Sequence, residues 1–186
     1  MSQQQLKPLP IRFDPVNFAD HNRKLDGLVA TRAMTRLMEN VLSAEPMAKA
    51  KLSISRGLYG YPLVTGQTIA TVGMRCERCL DEVSIELKPK IKVLVKPEEE
   101  NLPENEQIKG EERPEFHEYD GKSLVLSDLI EEELLLTLPL VPKHQDISLC
   151  NQDMVAWLAA NEAPSEEQVA SSERKESPFA ILKSVD

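Results

Sequence analysis

Four residues in two places have the chemistry to bind a metal. Cys76 and Cys79 stand in Met74-Arg-Cys-Glu-Arg-Cys-Leu80, and His144 and Cys150 in Leu138-Pro-Leu-Val-Pro-Lys-His-Gln-Asp-Ile-Ser-Leu-Cys150. These two stretches hold all 3 cysteines and one of the 3 histidines of the 186-residue chain. A Cys-x-x-Cys turn brings two thiolates together at little cost in loop entropy, and so pre-forms half of a tetrahedral zinc site. His144 and Cys150 would complete a Cys3His set, although they lack the tight spacing of a second knuckle. The plainer reading is that Cys76 and Cys79 are small residues in a strand turn and that His144 caps a proline-rich loop. A redox Cys-x-x-Cys opens a helix in a βαβ setting, where the helix dipole lowers a thiol pKa; here it lies between two strand-like runs. An odd number of cysteines also argues against a disulfide framework.

The elements that must position these residues read as strands first and helices later. Ala50, Leu52 and Ile54 alternate with Lys49, Lys51, Ser53 and Ser55, and Gly57 to Pro62 is turn chemistry. Leu63 to Arg75 is a β-branched run with Gly66 as a bulge or bend. After the Cys-x-x-Cys turn, Val83, Ile85, Leu87, Ile91, Val93 and Val95 fall on odd positions of the longest alternating run. Three long strands with short turns predict an α+β fold: an antiparallel, curled or barrel-like sheet with flanking helices.

Cys76-Glu-Arg-Cys-Leu80, the run from Ser127 to His144, Cys150 and a terminal Pro178-Phe-Ala-Ile-Leu182 together resemble the YceD family, the large ribosomal RNA subunit accumulation proteins of bacteria and plastids. The resemblance covers nearly the whole chain, and its specific part is residues 76–80 and 126–150 with the terminal tag. It implies a non-enzymatic role in the synthesis, processing or stability of 23S ribosomal RNA. The implied partner is a large-subunit ribosomal RNA precursor, or a ribosomal or assembly protein. No catalytic residue comes with it. A zinc-stapled protein–protein adaptor without direct RNA contact is the alternative from a different class.

Charge is distributed unevenly. Residues 1–75 carry ten Lys/Arg against five Asp/Glu, and the remainder twelve against 26, giving +5 and −14 within a net −9. Overall acidity argues against a non-specific RNA coat and gives no reason to expect DNA binding. A local cationic surface is still available. Lys88, Lys90, Lys92 and Lys96 share the even side of the last strand run, at roughly 6.6 Å per two residues, close to the spacing of successive phosphates. Lysines on a strand also guard an edge against aggregation, and Pro89 suits an edge or bulge. Arg23, Lys24, Arg32 and Arg36 could supply a second patch.

Asp14-Pro15 reads as a helix start, with Asp as N-cap and Pro at the first helical position, and the helix is expected to end near Gly27. A short helix is expected at Thr31–Met38. Ser127 or Asp128 caps a long helix with Leu126, Ile130, Leu134 and Leu138 on one face. Glu131, Glu132 and Glu133 suit the first turns of that helix through its dipole, and one of them could pair with a buried arginine such as Arg78. No paired His or Asp spacing gives them a catalytic role. Pro139 and Pro142 end the helix, and Asn151 caps a last one carrying Met154, Val155, Trp157 and Leu158.

Residues 1–160 read as one domain interrupted by an acidic loop at 97–114, and 161–186 as a Glu/Ser-rich tail with its short apolar tag. No run of about 18 apolar residues is present and Met1-Ser-Gln-Gln-Gln lacks signal-peptide features, so a cytoplasmic protein without a membrane partner is expected.

Overall fold

The computed structural model describes residues 6–99 and 115–161. In chain order the elements are β1 (Arg12–Phe13), α1 (Pro15–Asp20), β2 (Lys24–Ala30), α2 (Thr35–Asn40), β3 (Ser43–Ala44), β4 (Met47–Arg56) and β5 (Pro62–Arg75). They continue with β6 (Glu82–Leu87), β7 (Lys90–Pro97), β8 (Glu115–Tyr119), β9 (Leu124–Val125), α3 (Leu126–Thr137) and α4 (Gln152–Ala160).

The period-two runs on either side of the Cys-x-x-Cys form one long hairpin. β5 pairs antiparallel with β6, Ala70 opposite Leu87, and with β7, Gln67 opposite Lys90, in a single continuous register. The break at Lys88-Pro89 falls where proline has no N–H to give the ladder, though the Pro89 carbonyl still accepts from Thr68 N at 3.2 Å. On its other side β5 pairs with β4 and then with β3. The sheet order is β2-β4-β5-β7-β8, with β7 and β8 parallel, and the sheet stays open rather than closing into a barrel. Gly66 provides the expected bend at φ +153, where a Cβ would meet the Lys51 carbonyl oxygen at 2.1 Å.

Alternation then sorts the sheet's two faces. Ala48, Ala50, Leu52 and Ile54 of β4, Val64, Ala70 and Val72 of β5, and Ile91, Val93 and Val95 of β7 are buried. They form one core with Ala19 of α1, Leu37 of α2, and Leu129, Ile130 and Leu134 of α3. Burying a Leu or Ile of this kind stabilises by about 1.5–3 kcal/mol each, so this layer is the main source of the fold.

Several boundaries differ from the sequence expectation. The first helix begins as expected, with Asp14 Oδ1 accepting from Val16 N at 2.9 Å and Asn17 N at 3.0 Å. It stops at Asp20 rather than near Gly27, because Asn22 turns left-handed (φ 46) and the chain enters β2. The second helical stretch divides into a 3-10 turn at Thr31–Ala33 and α2. Helix α3 follows β9 directly at Leu126 without a side-chain cap; Ser127 is buried inside it and donates to Asp128 Oδ1 at 3.2 Å. Among the described residues no helix is long and apolar enough to cross a membrane. Most of the acidic loop (100–114) and of the C-terminal tail (162–186), including Pro178–Leu182, lies outside the described residues.

Candidate metal centre

Cys76–Asp81 is the connection between β5 and β6. Cys76 N donates to Asp81 O and Leu80 N to Cys76 O, both at 2.8 Å, and Leu80 sits in the left-handed region at φ 65. A bulky residue there is uncommon, and the two closing bonds hold it in place. A third bond, Glu77 N to Pro142 O at 2.8 Å, fastens the turn to the segment after α3. That segment is extended because Pro139 and Pro142 cannot continue a helix.

Cys150 is positioned from its own side. Asp146 accepts from Ser148 N at 2.8 Å and caps a 3-10 turn at Ile147–Leu149, and Cys150 N donates back to Ile147 O at 3.1 Å. Asn151 then caps α4 as expected, its side-chain oxygen accepting from Asp153 N and Met154 N. The Gln152 side-chain amide donates to the Cys150 carbonyl at 2.7 Å.

The two halves meet. The ligand atoms of Cys76, Cys79, His144 and Cys150 all lie within 4.8 Å of one another. His144 Nδ1 is 3.5 Å from Cys79 Sγ and 3.6 Å from Cys150 Sγ. A tetrahedral zinc with Zn–S of about 2.3 Å and Zn–N of about 2.0–2.1 Å sets a ligand S···N edge of about 3.6 Å. The donor set and these edges therefore fit zinc. The three cysteines are buried and His144 half-buried, with Val83, Met74, Ile85, Met154 and Val155 packed around them. Burial alone would push the Cys76 thiol up, but hydrogen bonds from the backbone at Cys79, His144 and Arg78 outweigh it and bring it to about 6. Burial pushes the Cys150 thiol up, although the Arg78 guanidinium reaches its sulfur at 3.7 Å.

The other predicted residues are placed differently. Lys88, Lys90 and Lys92 are exposed on the sheet's outer side, Lys88 paired with Glu86 at 2.5 Å. Lys96 departs from that row. Its side chain is buried and ion-paired at 2.5 Å with Glu118, which stands opposite it in the parallel β7–β8 register. The sequence could not show that β8 would lie beside β7 and cover this end of the strand. Of the second group, Arg23 stacks on Phe18 at 5.6 Å, Lys24 joins the sheet's outer face, and Arg36 goes to Glu131. The buried glutamate of α3 is Glu131, and its partners are Arg36 Nε at 3.1 Å and Leu37 N at 3.0 Å, not Arg78. Sequence reasoning missed that Lys24, Lys49 and Lys51 share a face with Lys90; the lysine alternation in β4 was the available signal, and the strand register was the missing one.

No solved structure matches the chain. A relative from Haemophilus influenzae, named "Large ribosomal RNA subunit accumulation protein YceD", is 28% identical over 181 residues, covering 94% of this chain and 94% of its own length. A family profile bearing the same description matches residues 64–185, which include the whole β5–β6 hairpin turn, His144 and Cys150. With well over half of its length matched by that profile, the chain belongs to the family of large ribosomal RNA subunit accumulation proteins, YceD.

Proposed function

We propose that this protein is a non-enzymatic, cytoplasmic factor of large-subunit biogenesis that supports the synthesis, processing or stability of 23S ribosomal RNA. The observation that carries the reading is family membership across the residues that build the candidate metal centre. The domain is taken as residues 1–160, with 161–186 as an appended tail. One zinc ion held by Cys76, Cys79, His144 and Cys150 would fit this role. Four protein ligands leave no open position for a substrate, so such an ion staples the hairpin turn to the segment entering α4 rather than doing chemistry. Exposed Lys88, Lys90 and Lys92 are the sequence-derived candidates for RNA contact; Lys96, occupied by Glu118, is withdrawn from that set.

A second reading, a zinc-stapled adaptor that grips another protein, is favoured by one feature. Leu80 and Leu149, each next in sequence to a cysteine, and Leu140, Val141 and Trp157 on the segment after α3 and on α4, are all at least half exposed. Depleting the protein and measuring 23S against 16S ribosomal RNA tests the first reading. A selective fall in 23S, restored by the wild-type chain, is the expected result; unchanged 23S levels in depleted cells overturn it. An adaptor without RNA contact would restore 23S levels yet fail to crosslink to RNA in cells.

A further inference from the structure

The strand registers assemble a basic surface larger than one strand. Residues directly opposite one another in antiparallel strands point to the same face. One row therefore runs Lys90, Gln67, Lys51, Asp26 across β7, β5, β4 and β2, and the next runs Lys92, Thr65, Ser53, Lys24. Lys49 stands one further row along, opposite Ile69. This is the face turned away from the core, since the buried positions of the same strands alternate with these. Part of it forms an open depression of about 650 Å³ that Lys24, Lys49, Lys51, Ser53, Thr65 and Gln67 help to line.

The charge of this face opposes that of the chain. Among the described residues, these rows hold Lys24, Lys49, Lys51, Lys90 and Lys92 beside one acid, Asp26, within a protein of net charge −9. Among the described residues Lys24, Lys49 and Lys90 make no ion pair, and the Lys51–Asp26 pair at 3.7 Å is exposed and so weak. Lysines recur about 6.6 Å apart along β4, and strands repeat about 4.8 Å apart across the sheet, which makes a two-dimensional array rather than a line. Ser53, Thr65 and Gln67 place neutral hydrogen-bonding groups between the ammonium groups. No aromatic side chain occupies these rows, so bases have no stacking platform.

We infer that the outer face of β2, β4, β5 and β7 binds the sugar–phosphate backbone of RNA, without sequence preference, through Lys24, Lys49, Lys51 and Lys90. This deepens the ribosomal-RNA reading and rests on it for the choice of nucleic acid over an acidic protein. Phosphate contacts of this kind position RNA and carry no sequence information directly.

The test is titration of the full-length, zinc-supplemented protein into a fluorescein-labelled 24-nucleotide single-stranded RNA and the corresponding duplex, over a range of KCl. Four phosphate contacts predict a slope of log K against log salt of about −2.8 for the single strand and about −3.6 for the duplex. The quadruple variant K24Q/K49Q/K51Q/K90Q should lose at least tenfold in affinity at low salt and most of that slope, at an unchanged thermal midpoint. The single variants should each remove about 0.7 of slope on the single strand. A control pair elsewhere on the surface, K122Q/K143Q, should bind as the wild type does. Wild-type binding that the quadruple variant retains overturns the inference, as does a wild-type protein that captures an acidic protein but no RNA at low salt. Gradient sedimentation separates the two levels. If wild type and quadruple variant both travel with large-subunit precursors, this face is wrong and the biogenesis reading stands; if the wild type does not travel with them, that reading fails whatever the face binds.

Discussion

If Cys76, Cys79, His144 and Cys150 hold zinc as proposed, removing the ion should release α4 and leave the sheet standing. Helix α4 fully buries none of its nine residues, and its hold on the body is Met154 and Val155, partly buried against the cysteine cluster. Complete burial would contribute about 1.5–3 kcal/mol for each such side chain, so two partly buried ones contribute roughly 2–3 kcal/mol together. Fixing the backbone costs about 1 kcal/mol or more per residue, and isolated helices shorter than about 12–15 residues are marginal in water. Structural zinc sites supply about 10–16 kcal/mol of apparent binding energy, enough to reverse that balance. The main core shares only Met74 and Ile85 with the cluster and has no such dependence. Among the described residues the four α-helices are six, six, twelve and nine residues long, so loss of α4 should remove about a quarter of their helical signal at 222 nm. Trp157, the single tryptophan, lies on α4 and makes emission a local reporter. After treatment with a strong chelator, amides of residues 152–160 should exchange freely while those of β4 and β5 stay protected, and Cys79→Ser should do the same without chelator. Protected α4 amides in protein shown metal-free by native mass spectrometry would refute the reasoning.

Three further outcomes follow from the packing. Glu131→Ala should cost about 1–3 kcal/mol, because it strands the Leu37 N–H while Arg36 can still reach solvent; the check is a lower urea midpoint at constant m-value. Gly66→Ala should cost about 3 kcal/mol or more, since φ +153 disfavours any side chain and the new Cβ would meet backbone of β4 at 2.1 Å; an unchanged thermal midpoint would count against the close approach. Thr68 Oγ1 is buried without a hydrogen-bond partner among the described residues, so Thr68→Val should be neutral to stabilising by about 1 kcal/mol, and a loss of stability would mean that the hydroxyl has a partner after all.

What the sequence disclosed, and what it withheld, follows from the range of the interactions involved. The hairpin around the Cys-x-x-Cys was legible because side-chain alternation is a local signal, and it persists from Leu63 to Val95 through the break at Pro89. The meeting of Cys76 and Cys79 with His144 and Cys150 was legible only as a coincidence of residue types; the Glu77–Pro142 bond that brings the halves together leaves no trace in spacing. Strand β2 was hidden because Asp14-Pro15 announces a helix start clearly, whereas its end depends on one left-handed residue, Asn22. The uncapped start of α3 was missed because Ser127 has the chemistry of a cap, yet the chain passes directly from β9 into the helix. Lys96 and Glu131 show the same limit. Each finds its charged partner, Glu118 or Arg36, through pairings distant in sequence, and alternation or helix periodicity alone assigns Lys96 to solvent and cannot choose Arg36 over Arg78 for Glu131.

The most direct test of the central claim is sedimentation of the endogenous, tagged protein through a sucrose gradient at low and at moderate salt. The proposed role in large-subunit biogenesis predicts that it travels with precursors of the large subunit, and that the association weakens as salt rises. A protein that sediments alone at both salt concentrations, in cells actively assembling ribosomes, would contradict the account.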